Sequence, residues 1–249
     1  MKILNTALIA IIIALAVHSA DAQSSGVITY TESMKLNIEV DHAPGGMDLT
    51  DMLPTHRTIT KQLTFDGDES VYIDSGDRPE DTEISSDDGS IQIKMVESDI
   101  ENQLYTDLKN GASLEQQGFM GKAFLISQPI EKIKWKITPE KVKYLDYECI
   151  KATMTNDEGE EVVAWFAPAI PTKAGPGGYG QLPGAILMLS RGDQDLEIKA
   201  TNVELKEVGE IKKPKDGKKV TLEEFEKIVD EKTKEMEKEY GGRSIMIRG

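Results

Sequence analysis

From Ile28 to Val40 the even positions read Ile, Tyr, Glu, Met, Leu, Ile and Val, and the odd positions read Thr, Thr, Ser, Lys, Asn and Glu. A period of two sends successive side chains to opposite faces, so the pattern predicts one long strand with a single buried face. Glu32 alone breaks it. A strand of this length suits a strongly curved sheet. A second strand is expected around Thr58 to Tyr72, with Asp66-Gly67 inside it. Ile91, Ile93 and Met95 alternate with Gln92 and Lys94, and Lys132 to Ile137 alternates with Trp135 on the apolar side. Further strands hold Cys149, Val162 to Phe166, the wholly apolar run Ala185 to Leu189, and Leu196, Ile198 and Ala200. Asn110-Gly111 is a strong hairpin signal, and Asn156-Asp157-Glu158-Gly159 links two strands. Eight or more strands joined this way predict an antiparallel sheet. The expected fold is mainly β: a half-barrel-like curved sheet within residues 23–205 and a C-terminal helix packed partly on it.

The pattern changes after residue 205. Residues 206–220 read as a basic linker containing Pro214 and Asp216-Gly217. Thr221 followed by Glu224 is a capping box, and Leu222, Phe225, Ile228 and Val229 form an apolar stripe at helical spacing. Residues 221–249 are therefore a helix and tail, the second half solvated by Lys and Glu at i,i+4 distances. At the other end, Lys2, an apolar run from Ile3 to Val17 and Ala20-Asp21-Ala22 predict a signal peptide over residues 1–22. The run falls short of the ~20 apolar residues a membrane span needs, and no later stretch is apolar enough. The protein is expected to be exported.

Composition narrows the chemistry. Apolar residues make 39% and charged residues 29% of the chain, which suits a globular domain. The formal charge of −15 argues against a nucleic-acid partner. One cysteine, Cys149, excludes an internal disulfide and a Cys-based zinc site; within a strand it reads as a small core residue. No nucleophile-elbow motif is present, and the two histidines beyond the leader, His42 and His56, share one loop. A hydrolase is hard to build from these parts.

Four segments tempt. Gly175 to Gly180 fits G-x-G-x-x-G by letter, but Pro183 and a β run follow instead of the helix a dinucleotide loop must open. Leu182-Pro183-Gly184-Ala185 reads as a type II turn. The glycine loop before it, beside Trp165, Phe166 and Tyr179, suggests a mobile gate to an apolar cavity. Trp165, Phe166, Tyr179, Leu182, Pro183 and Gly184 are thus the candidate ligand residues. His42, Met47, Met52 and His56 offer imidazole and thioether groups suited to copper. The acidic stretch 74–88, read as a structureless loop, offers oxygens to calcium.

The ordered run from Tyr147 (Tyr-x-Cys-Ile-Lys-Ala), then Ala164-Trp165-Phe166, Ile170-Pro171, Gly175-Pro176 and Leu182-Pro183-Gly184-Ala185-Ile186-Leu187, resembles the GLPGLI family of exported Bacteroidetes proteins. The naming motif stands here as Gln181 to Ile186, with Gln181 and Ala185 departing from it. Leu63-Thr64-Phe65 and Glu69 to Tyr72 also look like that family's second strand. The resemblance implies a periplasmic or cell-surface location in a Gram-negative bacterium. It implies no catalytic residue and no cofactor, since the family has no established activity. The reading favoured is a non-enzymatic envelope protein that binds an apolar ligand or a partner protein in the concave face of the sheet. A copper or calcium module is the alternative.

Overall fold

A computed structural model describes residues 24–39, 55–75, 82–85, 92–95, 100–193, 195–239 and 246–248. The expected signal peptide, and His42, Met47 and Met52, lie outside the described residues. The strands are β1 (Ser25–Lys35), β2 (Asn37–Glu39), β3 (His56–Asp66), β4 (Glu69–Asp74), β5 (Thr82–Ser85), β6 (Gln92–Met95), β7 (Gln103–Asp107) and β8 (Ala112–Phe119). There follow β9 (Lys122–Pro129), β10 (Lys136–Tyr144), β11 (Tyr147–Thr155), β12 (Glu161–Ala167), β13 (Ala185–Arg191), β14 (Leu196–Leu205), β15 (Lys218–Thr221) and β16 (Met246–Arg248). Among the described residues one α-helix, α1, spans Leu222–Glu239.

Twelve strands form one open sheet in the order β10-β11-β12-β13-β14-β1-β3-β4-β7-β8-β9-β15. All its pairs are antiparallel except β15 against β9. β16 pairs with β2, and β5 with β6, in separate two-stranded sheets. The alternation read along the first strand holds within β1, where Ile28 and Tyr30 are fully buried and Glu32 is 7% exposed, but the strand expected to run on to Val40 ends at Lys35, and Asn37–Glu39 pairs with β16 instead.

Side-chain hydrogen bonds report the curvature. The Tyr144 hydroxyl on β10 donates to the Ala200 carbonyl on β14 at 2.8 Å. Four strand spacings separate these strands in the sheet, about 19 Å if it were flat, which no tyrosine bridges. The Tyr30 hydroxyl on β1 likewise donates to the Ile186 carbonyl on β13 at 2.8 Å. The β10–β14 end therefore curls over, and its concave face is filled by a core containing Phe65, Phe166, Ile170, Leu182, Ile186 and Ile198. Cys149 belongs to this core, fully buried, with its thiol pushed up to about 11 by burial.

Several expected boundaries move. Residues 58–72 are two strands: Asp66 pairs with Glu69 across a two-residue turn in which Gly67 has φ +56°. The alternating segment 132–137 joins the sheet only from Lys136, and Ile137 is half exposed. Residues 82–85, inside the stretch expected to be structureless, form β5.

The C-terminal segment wraps the far edge of the sheet. The Ser25 hydroxyl donates to the Lys206 carbonyl at the start of the strap. Ile211 and Pro214 are then buried, and the Lys213 ammonium lies 4.7 Å from the centre of the Tyr105 ring. β15 adds to the β9 edge, and α1 returns over the concave face with Phe225 against Phe124, Ile126 and Val220. The capping box forms as read: Glu224 N–H donates to Thr221 Oγ1 at 3.2 Å, and Thr221 N–H to Glu224 Oε2 at 2.9 Å. Leu222 leaves the docking stripe and is 39% exposed.

Candidate functional site

Register places Glu32 (β1), Lys61 (β3), Tyr72 (β4), Leu104 and Thr106 (β7), and Ser113 and Glu115 (β8) on one face of the sheet. This is the concave face beyond the filled core. There it opens into a cavity of about 810 Å³. Segment 129–133 forms one rim, Asp157 and the Gly177-Gly178 turn form the wall from the curled half, and Thr221, Leu222 and Glu223 at the head of α1 close the far side.

A fixed polar network forms the floor. The Tyr72 hydroxyl donates to Glu32 Oε2 at 2.9 Å. Lys61 Nζ lies 3.7 Å from Glu32 Oε1 and 3.2 Å from Asp74 Oδ1, and 5.3 Å from the Tyr72 ring centre. The Asp74 contact is out of line for a hydrogen bond and is purely ionic. Glu32 is therefore buried with both a proton donor and a countercharge, the condition under which a buried carboxylate is tolerated. Burial, then the Glu32 charge, push the Tyr72 phenol far above its ordinary value, so it stays a donor. The network is built to hold polar groups in place, with no activated nucleophile in it.

Glu115 differs. Burial pushes its carboxyl above the ordinary range, and the Lys61 charge pulls it only part of the way back. An acid raised in the folded state costs stability wherever it is ionised, and the cost vanishes once both states are protonated. Glu115→Gln is therefore expected to stabilise the protein by about 0.5–1 kcal/mol at neutral pH. The gain should fade as pH drops below the ordinary Glu range. Urea denaturation at several pH values checks both the sign and the fade.

The candidate ligand residues sit beside this cavity, not around it. Phe166 and Leu182 are each 1% exposed inside the core. Trp165 and Tyr179 pack half-buried against it, and Pro183 is exposed. The expected type II turn is absent. The Gly184 N–H donates to the Leu182 carbonyl at 2.9 Å, a three-residue turn centred on Pro183. The Ala185 N–H, which a type II turn would use, goes instead to the Ile170 carbonyl at 3.2 Å.

The glycine loop expected to gate a cavity is closed on itself by backbone contacts. Gln181 N–H donates to the Lys173 carbonyl at 2.7 Å, and a Cβ on Gly175 would lie 1.7 Å from the Tyr179 carbonyl oxygen. These glycines serve close backbone approach, and Gly177 and Gly178 reach the cavity only as part of its wall.

Gln181 holds a left-handed φ of +65°, which costs a non-glycine residue about 1–2 kcal/mol. Its amide offsets that by donating to the Glu131 carbonyl at 2.7 Å and accepting from the Ile133 N–H at 3.3 Å. His56 is an exposed residue of β3 whose Nδ1 lies 3.0 Å from Thr55 Oγ1. Among the described residues no group of three or more His, Cys, Asp or Glu side chains gathers as a metal site.

Sequence reasoning singled out none of Lys61, Tyr72 or Glu115, and took Asp74 only as the first acid of the stretch 74–88. The one signal was Glu32, a lone carboxylate on an otherwise apolar face.

The fold defines a class: an open, curled antiparallel sheet wrapped at one edge by a C-terminal strap and helix. A sequence-family profile described as "Protein of unknown function (Porph_ging)" matches residues 155–188, from the end of β11 through the glycine loop into β13. No curated protein matches the chain. Structures of PNGF-II in space groups P21 and C2 are similar to it, with TM-scores of 0.50 and 0.51 and 16% identity. The likeness covers 82% of this chain and 33% and 32% of those chains. This chain thus spans about a third of their length, and the likeness concerns the fold alone. No helix among the described residues is long and apolar enough to cross a membrane.

Proposed function

We propose that this protein is an exported cell-envelope protein of the GLPGLI type, periplasmic or cell-surface, and a binding module that holds an amphiphilic ligand in the cavity of its concave face. The cavity of about 810 Å³ carries the reading, because it lies within the size range of small-molecule and lipid sites. Its lining has two characters. Leu104, Ile130, Ile133 and Leu222 offer an apolar bed, and the Glu32–Lys61–Tyr72 network offers fixed hydrogen-bonding groups at one end. A purely apolar ligand would strip water from the other polar lining groups, Thr106, Glu115 and Gln128 among them, without replacing it, which is costly. The ligand thus combines an apolar body with a polar head. The same network, already satisfied internally, favours binding over catalysis.

Native mass spectrometry of the protein isolated from its own envelope without detergent exchange tests the reading. A lipid- or peptide-sized adduct is expected, and it should be lost in Thr106→Trp, which fills the cavity floor. A bare mass for the native protein, or an adduct that survives Thr106→Trp in a folded variant, would overturn it.

A further inference from the structure

Residues 131–135 belong to no ladder, and the alternation of exposed and half-buried side chains from Lys132 to Lys136 reads as an extended chain. On one in-plane edge the Glu131 carbonyl and Ile133 N–H are held by the Gln181 amide. In an extended chain the N–H and C=O of alternate residues point to opposite edges. The backbone groups of Lys132 and Lys134 therefore lie on the other edge, and they have no hydrogen-bond partner among the described residues. The side chains are as distinctive. Lys132, Lys134 and Lys136 are exposed and alternate with half-buried Ile133 and Trp135, which puts the three lysines on one side of an extended chain at a Cα spacing of about 6.8 Å. The lysines of the adjoining strands are neutralised: Lys141 by Glu148, Lys143 by Asp146 and Lys151 by Glu140. Lys132, Lys134 and Lys136 have no ion-pair partner among the described residues, on a chain of net charge −15.

We infer that residues 132–136 are a strand-addition site for an extended acidic segment of a partner protein. Pairing with the free backbone edge supplies the hydrogen bonds. The alternating lysines meet acidic side chains at i and i+2 of the incoming strand, whose spacing matches theirs. Lysines on a free edge also discourage indiscriminate pairing, so the same residues that repel neutral or basic strands select an acidic one. The overall negative charge of the protein provides no long-range attraction for such a partner. Affinity must come from local contacts and be lost when either the charge or the backbone match is removed. Lys132, Lys134 and Lys136 do not line the cavity, so the inference stands apart from the ligand reading.

The test is fluorescence anisotropy of the full mature protein with three labelled hexapeptides: alternating Glu and Val, alternating Lys and Val, and the Glu/Val peptide N-methylated along one backbone edge. Saturable binding of the Glu/Val peptide is expected, with roughly tenfold or greater loss on N-methylation of its pairing edge and no binding of the Lys/Val peptide. The double variant Lys132→Glu/Lys134→Glu should also lose roughly tenfold, with an unchanged melting temperature because both side chains are exposed. Equal binding of the N-methylated peptides would make the edge a polyanion contact and overturn strand addition. An absence of saturable Glu/Val binding would leave the lysines only the role of guarding the edge, and would overturn it equally.

Discussion

Gly184→Ala is expected to destabilise the protein by on the order of 4 kcal/mol, and Gly111→Ala by only about 1–2 kcal/mol. Both glycines hold positive φ, +148° and +63°. A Cβ on Gly111 would meet nothing within 4 Å, so its substitution costs conformational strain alone. A Cβ on Gly184 would lie 2.3 Å from the Ala167 carbonyl oxygen and 2.7 Å from Pro168 Cα, main-chain atoms at the end of β12 and the start of the turn after it. Backbone cannot swing aside as a flexible side chain can. That turn also receives the Ala185 N–H through the Ile170 carbonyl, and it positions Ile170 in the core. Relief of the clash would therefore separate β12 from β13 where the sheet curls. Urea unfolding of the two variants in parallel decides the matter. Equal, mild effects would mean that the close approach at Gly184 places no demand on the fold.

The same turn shows where local reading stops. Leu182-Pro183-Gly184-Ala185 has the composition of a type II turn, and in isolation that is the sound reading. The competing acceptor, Ile170, lies 15 residues from the Ala185 N–H that it captures, and nothing in the four-residue window announces it. Periodicity was legible where one face packs on one core, as in β1, β14 and the capping box of α1. It misled at 132–137, because alternating burial of Ile133 and Trp135 needs an extended chain but no ladder partner. Asp66-Gly67 was a missed hairpin with the same chemistry as Asn110-Gly111; the flanking alternation simply ran through it. The cavity floor was not legible, since register across five strands brings its residues together. Only Glu32 hinted at it: a charge amid an apolar face must have partners, and Lys61 and Tyr72 proved to be those partners.

Removal of residues 206–249 is expected to cost on the order of 3 kcal/mol and to leave a protein that binds hydrophobic dyes and aggregates, whereas removal of 231–249 should cost under about 1 kcal/mol. From sequence alone, residues 206–220 read as a basic linker to a helix only partly docked on the sheet. The packing argues otherwise. Ile211, Val220 and Phe225 are 8%, 7% and 6% exposed, and each contributes about 1.5–3 kcal/mol of burial as an upper estimate. The ordering of the strap opposes this gain, which is why the expected net loss is well below their sum. Deletion would also uncover Tyr105, Phe124 and Ile126, now 3%, 4% and 0% exposed. It would turn β9 into a free edge beside an apolar patch, a combination that promotes association between chains. Beyond Asp230 the helix carries ion pairs such as Lys232–Glu235, both side chains about half exposed or more, which add little. Chemical denaturation of the two truncations, with dye binding as a second readout, separates the contributions. If both truncations unfold at the wild-type midpoint, the strap is a passenger; if only the longer deletion fails, the C-terminal segment is part of the sheet it wraps and holds the far wall of the cavity in place.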